Sequence, residues 1–276
     1  MQVINTVKEL LATATKIKAE GKTVGMVPTM GALHEGHLSL IRRARKENDA
    51  VFVSIFVNPV QFNNPDDLRK YPRTLERDLE LIGEDADYVF APSVEEVFPV
   101  QPSEVYDFGP VEKVMEGAAR PGHFNGVGVI VRRLLEWVRP DKAYFGEKDY
   151  QQIAVIREMV RQCNIQSEIV PCPIVREPNG LAMSSRNRRL TPHEFETAAN
   201  IHRILEESRQ QPDVPQIQAF VEERIAAIPE FRLEYFTIAD DSTLQTIHSL
   251  DDAAGVMGFI TVYVGEVRLI DNIRYK

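Results

Sequence analysis

The stretch Val24–His37, VGMVPTMGALHEGH, joins a short apolar run to a turn that contains glycine and then to the start of a helix. Val24–Pro28 is typical of a buried strand, and the GHLSLIRRARKEND that follows repeats apolar residues at helical spacing. His34 and His37 stand three residues apart where the helix begins, so we expect both rings on one side of its first turn. The next apolar run, VFVSIFV, completes a strand–helix–strand unit, and its right-handed crossover begins a parallel sheet.

The same alternation of strands and helices continues beyond this unit. Helical segments TLERDLELIGEDA, FNGVGVIVRRLLEWV and QQIAVIREMVRQC alternate with the strand-like runs YVFAP, KAYFG and SEIVPCPIV. We therefore predict an α/β fold with a Rossmann-like doubly wound parallel sheet over residues 1–186. Two helical segments and then two or three strands follow, which predicts a smaller C-terminal α+β domain over residues 187–276. We expect this second domain, with a hinge near Arg186, to act as a lid.

Composition narrows the class of protein. The 276 residues carry a net charge of -9, which disfavours a broad nucleic-acid surface, so an anionic ligand must be held by local basic groups. Two cysteines, Cys163 and Cys172, form neither a disulfide framework nor a metal knuckle, and a cytoplasmic location is expected. The chain contains no apolar run of about 18 residues, so we predict no membrane span.

The turn at His34 and His37 is suited to phosphate. It follows a strand at the carboxyl edge of the predicted sheet and opens a helix, whose N-terminal N–H groups and dipole favour anions. Two imidazoles aimed at a phosphate can donate hydrogen bonds to oxygens that gain negative charge in a transition state. Two other interpretations stay open: a zinc site, although the His-Glu-Gly-His spacing is unlike His-Glu-x-x-His and no third ligand is evident, and a purely structural loop.

Two further loops carry cations near predicted helix starts or boundaries. In AYFGEKDYQQ, residues 143–152, Lys148 could reach a phosphate and Asp149 could orient a ribose or a metal ion. An exposed charge cluster at a helix start would look the same. GLAMSSRNRRL, residues 180–190, is a loop rich in hydroxyls and cations, which suits either a flap over a triphosphate or a basic interdomain linker.

Two more segments complete the set of candidates. FVNPVQF, residues 56–62, follows the second predicted strand and offers Asn58 and Gln61 to a small polar ligand. RPGHFNGVG, residues 120–128, is another loop-to-helix turn, in which we interpret His123 as structural rather than catalytic.

Taken in order, PTMGALHEGH, NPVQF, RPGHFNGV, FGEKDYQQ, MSSRN and RLIDN resemble the pantothenate synthetases (pantoate–β-alanine ligases) over essentially the whole chain. That family belongs to the nucleotidyltransferase superfamily, and its His-x-Gly-His corresponds to the HIGH signature of class I aminoacyl-tRNA synthetases. The counterpart of the synthetase KMSKS is here Met183-Ser184-Ser185-Arg186 without its lysines. The resemblance therefore implies phosphate binding by Arg186, the two serines and Lys148.

The resemblance implies a ligase that forms pantoyl adenylate from pantoate and Mg-ATP, releases pyrophosphate, and then transfers the pantoyl group to β-alanine with release of AMP. It implies catalytic roles for His37 as proton donor, for His34 and for Lys148, and pantoate binding by Gln61 and Gln152, with Asn58 beside Gln61. The ATP site would be lined by Met30, Gly31, Ala32, Leu33, His34, Glu35, Gly36, His37, Gly146, Glu147, Lys148, Asp149, Val175, Met183, Ser184, Ser185 and Arg186. ATP with Mg²⁺, no resident metal site and a homodimer are also expected.

Without the resemblance, the residues support only an α/β enzyme that binds a nucleoside triphosphate at a His-x-Gly-His turn. Two other functions therefore stay open. A nucleotidyltransferase would leave the nucleoside monophosphate on its product, whereas a ligase releases AMP and needs a third substrate. A non-catalytic nucleotide sensor would bind ATP without releasing pyrophosphate.

Overall fold

The computed structural model describes all 276 residues, which form nine strands and eleven α-helices. The strands are β1 (Gln2–Ile4), β2 (Val24–Thr29), β3 (Ala50–Ile55), β4 (Tyr88–Phe90), β5 (Lys142–Gly146), β6 (Glu168–Cys172), β7 (Phe231–Asp240), β8 (Val256–Val264) and β9 (Val267–Arg274). The α-helices are α1 (Val7–Ala19), α2 (Glu35–Glu47), α3 (Pro65–Lys70), α4 (Leu75–Ile82), α5 (Val94–Val97), α6 (Met115–Ala119), α7 (His123–Val138), α8 (Tyr150–Gln162), α9 (Pro192–Ala198), α10 (Asn200–Ser208) and α11 (Val214–Ala226).

The chain divides into two compact units. The first consists of Met1–Glu112 with Glu116–Pro173, and the second of Lys113–Met115 with Ile174–Lys276. Residues 174–186, assigned to the N-terminal domain from the sequence, thus belong to the second unit. The reason is that Leu181 packs in the apolar core of that unit.

The first unit is built on six parallel strands in the order β1-β4-β3-β2-β5-β6. From β2 the chain runs outward through β3 and β4, then returns to pair β5 with the other side of β2, so the strand order reverses between β2 and β5. The predicted Rossmann-like doubly wound sheet is confirmed. The α1 helix was not predicted from the sequence, and neither was β1, because a strand of three residues shows too little periodicity to recognise.

Helices cover both faces of this sheet, as doubly wound folds require. On one face, Leu10 of α1, Leu135 of α7 and Ile156 of α8 are fully buried in one apolar core. On the other face, Ile41 of α2 and Ile82 of α4 belong to a second core. Each such side chain contributes about 1.5–3 kcal/mol by leaving water, and this burial fixes α2 and α4 against the sheet.

The second unit packs three helices against an antiparallel sheet, in the order β7-β8-β9. Ile204 of α10, Val221 of α11 and Ile260 of β8 lie in its core. The predicted smaller α+β domain is therefore confirmed. The predicted helix PHEFETAANIHRILEESRQ is divided into α9 and α10, where the Asn200 side chain donates to the Thr197 carbonyl at 2.8 Å and competes with a continuous helix.

None of the helices combines the length and the apolar character that a membrane crossing requires.

Candidate active site

The candidate site lies at the carboxyl edge of the parallel sheet, where the strand order reverses between β2 and β5. Open α/β sheets bind their ligands in the crevice at such a point. The loop after β2 leads into α2, and the loop after β5 leads into α8, so two helix N-termini begin at this edge. The loop after β3, the other neighbour of β2, carries Asn58 and Gln61.

The turn after β2 is held by a buried carboxylate that was not identified from the sequence. Asp78 of α4 is fully buried, and it accepts hydrogen bonds from the backbone N–H groups of Ala32 and Leu33, each at 2.8 Å. Thr74 Oγ1 also donates to this carboxylate, at 3.2 Å. Gly31, at φ +81°, lies so close to Asp78 that an added Cβ would stand 3.0 Å from Oδ2. A glycine is therefore required both for the left-handed conformation and for the close approach.

His34 and His37 stand together at the start of α2. The residue that caps the helix is His34, whose Nδ1 accepts a hydrogen bond from the N–H of Gly36 at 3.2 Å. Because Nδ1 accepts, this geometry places the ring proton on Nε2, which is then a donor. The centroids of the two rings are 4.1 Å apart, with their planes tilted by 40°. The structure thus brings the two predicted histidines together at a helix N-terminus.

The eight predicted ATP residues from Met30 to His37 are not equivalent. The side chains of Ala32 and Leu33 are buried, and their N–H groups already bind Asp78, so we assign these two residues to the turn itself. Glu35 is exposed and pairs with Arg42 at 2.8 Å. The partly exposed residues of this set are Met30, His34, Gly36 and His37.

The loop after β5 carries the predicted cation. Gly146 ends the strand, Glu147–Asp149 forms a single 3₁₀ turn, and α8 begins at Tyr150. The Nζ atom of Lys148 lies 3.2 Å from Asp149 Oδ2, and the Lys148 side chain is largely covered. Gln152 is partly exposed on the first turn of α8. An ammonium group is thus fixed beside the helix start at the same sheet edge as the two histidines.

Gln61 is oriented by Asn58. The Asn58 side chain is buried, and its Nδ2 donates to Gln61 Oε1 and to the Gly126 carbonyl, both at 3.0 Å. Gln61 Nε2 is turned toward Met30 Sδ at 3.2 Å, which links the loops after β2 and β3. With its amide already bound, Asn58 is placed to act on a ligand through Gln61.

The start of α7 supports the same Gln61 turn. His123 Nδ1 lies 2.8 Å from the Gln61 carbonyl, to which it donates, so Nε2 accepts from Arg120 Nη1 at 3.2 Å. Burial, with help from the nearby Arg120 charge, lowers the pKa of His123 to about 4, and the ring is neutral. Gly126 lies so close that an added Cβ would stand 2.5 Å from the Val60 carbonyl oxygen. The prediction of a structural His123 agrees with this arrangement.

The remaining candidates lie in the second unit. The backbones of Val175 and Met183 are paired, because the Met183 N–H donates a hydrogen bond to the Val175 carbonyl at 3.0 Å. Ser184 caps a 3₁₀ turn over Ser185–Arg189, and its Oγ accepts from the Arg186 N–H at 3.3 Å. This loop is therefore an ordered turn, in which Met183, Ser184 and Arg186 are partly exposed.

Across the chain, no group of three or more histidine, cysteine, aspartate or glutamate side chains is arranged to hold a metal ion. The His34–His37 pair thus has no third ligand of these types beside it.

Comparison with known proteins gives the family of this fold and site. The pantoate-β-alanine ligase family model matches residues 2–274. A pantothenate synthetase from Bacteroides thetaiotaomicron is 55% identical over 100% of this chain and 99% of its own length. This chain belongs to the pantoate–β-alanine ligase family.

Solved structures of the pantoate–β-alanine ligase family share the fold. The crystal structure of pantothenate synthetase from Thermus thermophilus is 44% identical, with a TM-score of 0.93 and coverage of 100% of this chain and 99% of that one. A pantoate-β-alanine ligase from Francisella tularensis, crystallised as a complex with beta-gamma ATP and β-alanine, is 35% identical. Its TM-score is 0.83, with coverage of 100% of this chain and 98% of that one.

Proposed function

We propose that this protein is an ATP-dependent ligase that condenses pantoate with β-alanine to give pantothenate. The reaction proceeds through pantoyl adenylate and releases pyrophosphate and AMP. The observation that carries the proposal is the His34–His37 pair, 4.1 Å apart between ring centroids, at the start of α2 and at the reversal of strand order. Family membership over residues 2–274 and the substrates named for the relatives support it.

In the first half-reaction a pantoate carboxylate oxygen attacks the α-phosphorus of ATP, and the bond from that phosphorus to the pyrophosphate oxygen breaks. Negative charge develops on the phosphate oxygens. His34 Nε2, His37 as proton donor, Lys148 and the positive end of α2 stabilise this charge. No covalent enzyme intermediate is needed, because positioning and charge neutralisation supply most of the catalysis of such transfers.

Gln61 and Gln152 bind pantoate, and Asn58 acts through Gln61.

In the second half-reaction the neutral amine of β-alanine attacks the acyl carbon, the acyl–oxygen bond to AMP breaks, and the amine loses its proton. Water must be kept from the acyl adenylate. Closure of a C-terminal lid would do so, and a decrease in the radius of gyration on addition of ATP and pantoate would be its signature. Unchanged small-angle scattering would contradict it.

The residues proposed to contact ATP are the partly exposed ones of the α2 start, those of the turn at Gly146–Asp149, Val175 and Met183–Arg186. Mg²⁺ enters as part of the substrate Mg-ATP, because this ion is usually held by substrate phosphates and few protein carboxylates. A homodimer and a cytoplasmic location stay predictions.

Product analysis of the purified protein tests the function. Mg-ATP with pantoate should release pyrophosphate, and addition of β-alanine should give equal amounts of AMP and pantothenate. A nucleotidyltransferase would instead leave the nucleoside monophosphate on its acceptor, without free AMP. A nucleotide sensor would bind ATP and release no pyrophosphate, and either result would overturn the proposal.

A further inference from the structure

An ion pair between a buried carboxylate and a partly exposed guanidinium connects the last strand to the segment that carries the ATP-binding candidates of the second unit. Asp271 lies in β9, and its side chain is 3% exposed. Leu269 and Ile273, which share its face of the strand, both belong to the apolar core. Arg176 donates to both carboxylate oxygens of Asp271, from Nη1 at 2.7 Å and from Nη2 at 3.0 Å. This planar contact fixes orientation as well as distance.

Arg176 also holds a hairpin, which we define as residues 175–183. The hairpin is closed by the hydrogen bond from the Met183 N–H to the Val175 carbonyl. The Arg176 guanidinium donates to the Gly180 carbonyl at the tip of the hairpin, at 3.2 Å. One side chain therefore binds the hairpin at its tip and attaches it to β9.

The hairpin leads directly into the remaining candidates. Ser184 follows it and caps the turn that contains Ser185 and Arg186. Asn187 in that turn donates from Nδ2 to the carbonyl of Ala182 in the hairpin, at 3.1 Å. A displacement of the hairpin would therefore be transmitted to the hydroxyls and the guanidinium of the turn.

Stability alone does not explain a charged pair at this place. Removing two charges from water is costly, and well-packed apolar residues often replace a buried ion pair with equal or greater stability. What an apolar contact does not supply is a fixed orientation. Leu269 and Ile273, the neighbours of Asp271 on its face of β9, are both apolar, so the pair is suited to fixing the hairpin in one orientation on the sheet.

We infer that Asp271 and Arg176 form a positioning pair for ATP binding: through the hairpin they hold Met183–Arg186 in the conformation that contacts the nucleotide. This inference rests on the proposed function of that segment. It also gives a physical role to the RLIDN motif, whose aspartate is Asp271.

The test compares Michaelis constants in variants of the pair. Asp271→Asn keeps the shape of the side chain and removes its charge, and Arg176→Lys keeps the charge and removes the fork. Each should raise the KM for ATP by about tenfold, the scale expected for a misplaced binding group, with the KM for pantoate and for β-alanine within about twofold of wild type. The double variant Arg176→Met/Asp271→Leu should raise the KM for ATP about as much as either single variant, because each single variant already breaks the same contact.

A matched control breaks a different ion pair in the same unit. Glu207 of α10 pairs with Arg224 of α11 at 3.0 Å, and both side chains are partly open to solvent. Glu207→Gln should leave every Michaelis constant unchanged. A lower melting temperature with an unchanged KM for ATP in Asp271→Asn would assign the pair to stability alone and overturn the inference. If Asp271→Asn does not fold, the double variant decides by the same comparison.

Failure of the inference can be told apart from failure of the proposed function. If wild type makes no pantothenate, the proposed function fails. If wild type makes pantothenate and Arg186→Ala raises the KM for ATP while the Asp271 and Arg176 variants do not, only the positioning role is overturned.

Discussion

Asp78 Oδ2 lies 2.8 Å from the backbone nitrogen of Ala32, a hydrogen bond that joins α4 to the turn before the two histidines. The second oxygen of the same carboxylate binds the N–H of Leu33. One buried side chain therefore fixes the direction in which the chain enters α2. The orientation of His34 and His37 follows from that direction, so the site depends on a residue that touches no proposed substrate.

Replacing this carboxylate by an amide should disturb the turn. In Asp78→Asn, an NH₂ group replaces one of the two oxygens that accept from Ala32 and Leu33, so a donor would face a backbone donor. We expect the free energy of unfolding to fall by about 1–3 kcal/mol, the cost of an unsatisfied buried group. The rate of pyrophosphate release should fall roughly ten- to a hundredfold through the displaced histidines. Glu76→Gln, an exposed change on the same helix, is the control and should alter neither quantity.

His37→Ala should slow pyrophosphate release by roughly two to three orders of magnitude, the range for losing one donor that stabilises transition-state charge. Its melting temperature should stay close to that of wild type, because His37 is only partly buried. Stopped-flow measurement of a single turnover separates this step from product release. His248→Ala, at an exposed position in the second unit, should react like wild type, and a wild-type rate in His37→Ala would refute the role.

Gly126→Ala should weaken pantoate binding selectively. The new Cβ would stand 2.5 Å from the Val60 carbonyl oxygen and 2.6 Å from Gln61 Cα, so the turn that carries Gln61 must shift. We expect the KM for pantoate to rise about tenfold while the KM for ATP is unchanged. Gly128→Ala on the same helix is the control, because the atoms nearest to its Cβ belong to the Phe108 and Tyr106 rings and not to the Gln61 turn. Equal pantoate constants in the two variants would count against the Gln61 assignment.

The buried His123 should make stability depend on pH. Its pKa is lowered to about 4 by burial and by Arg120, whereas an unfolded histidine has its ordinary pKa of about 6.5. Between these values the unfolded chain binds the extra proton, so the free energy of unfolding falls as pH drops through this window. The contribution is about 3 kcal/mol, present above pH 6.5 and lost near pH 4.

Urea unfolding of wild type and His123→Asn between about pH 4 and 7 measures this difference. The variant keeps a donor near the Gln61 carbonyl but does not titrate, so its stability should change less with pH. His202, whose pKa is also lowered by burial, contributes equally to both proteins. His248→Asn serves as the exposed control. Parallel pH profiles for wild type and His123→Asn would show that the ring does not carry this dependence.

The sequence predicted the parts of the site that lie next to one another along the chain. The β2 run, the glycine turn and the start of α2 form one continuous stretch, and alternation of apolar and helical segments was enough to predict the doubly wound sheet. The contacts of Asp78 could not be predicted this way, because Asp78 lies 46 residues from Ala32 along the chain. The apolar periodicity around Asp78 predicted a helix but not its contact partners. The pairing of Arg176 with Asp271 likewise joins residues that are distant along the chain. The sequence-based boundary after Arg186 therefore left the hairpin outside the second domain.

The central claim is that the pantoate carboxylate attacks the α-phosphorus of ATP. The most direct measurement uses pantoate labelled with ¹⁸O in both carboxyl oxygens, together with ATP and β-alanine, followed by mass spectrometry of the products. The account predicts AMP that carries one ¹⁸O and pantothenate that keeps one in its new amide carbonyl, since the acyl–oxygen bond breaks in the second step. Unlabelled AMP, or label that appears in inorganic phosphate instead, would contradict the adenylate route.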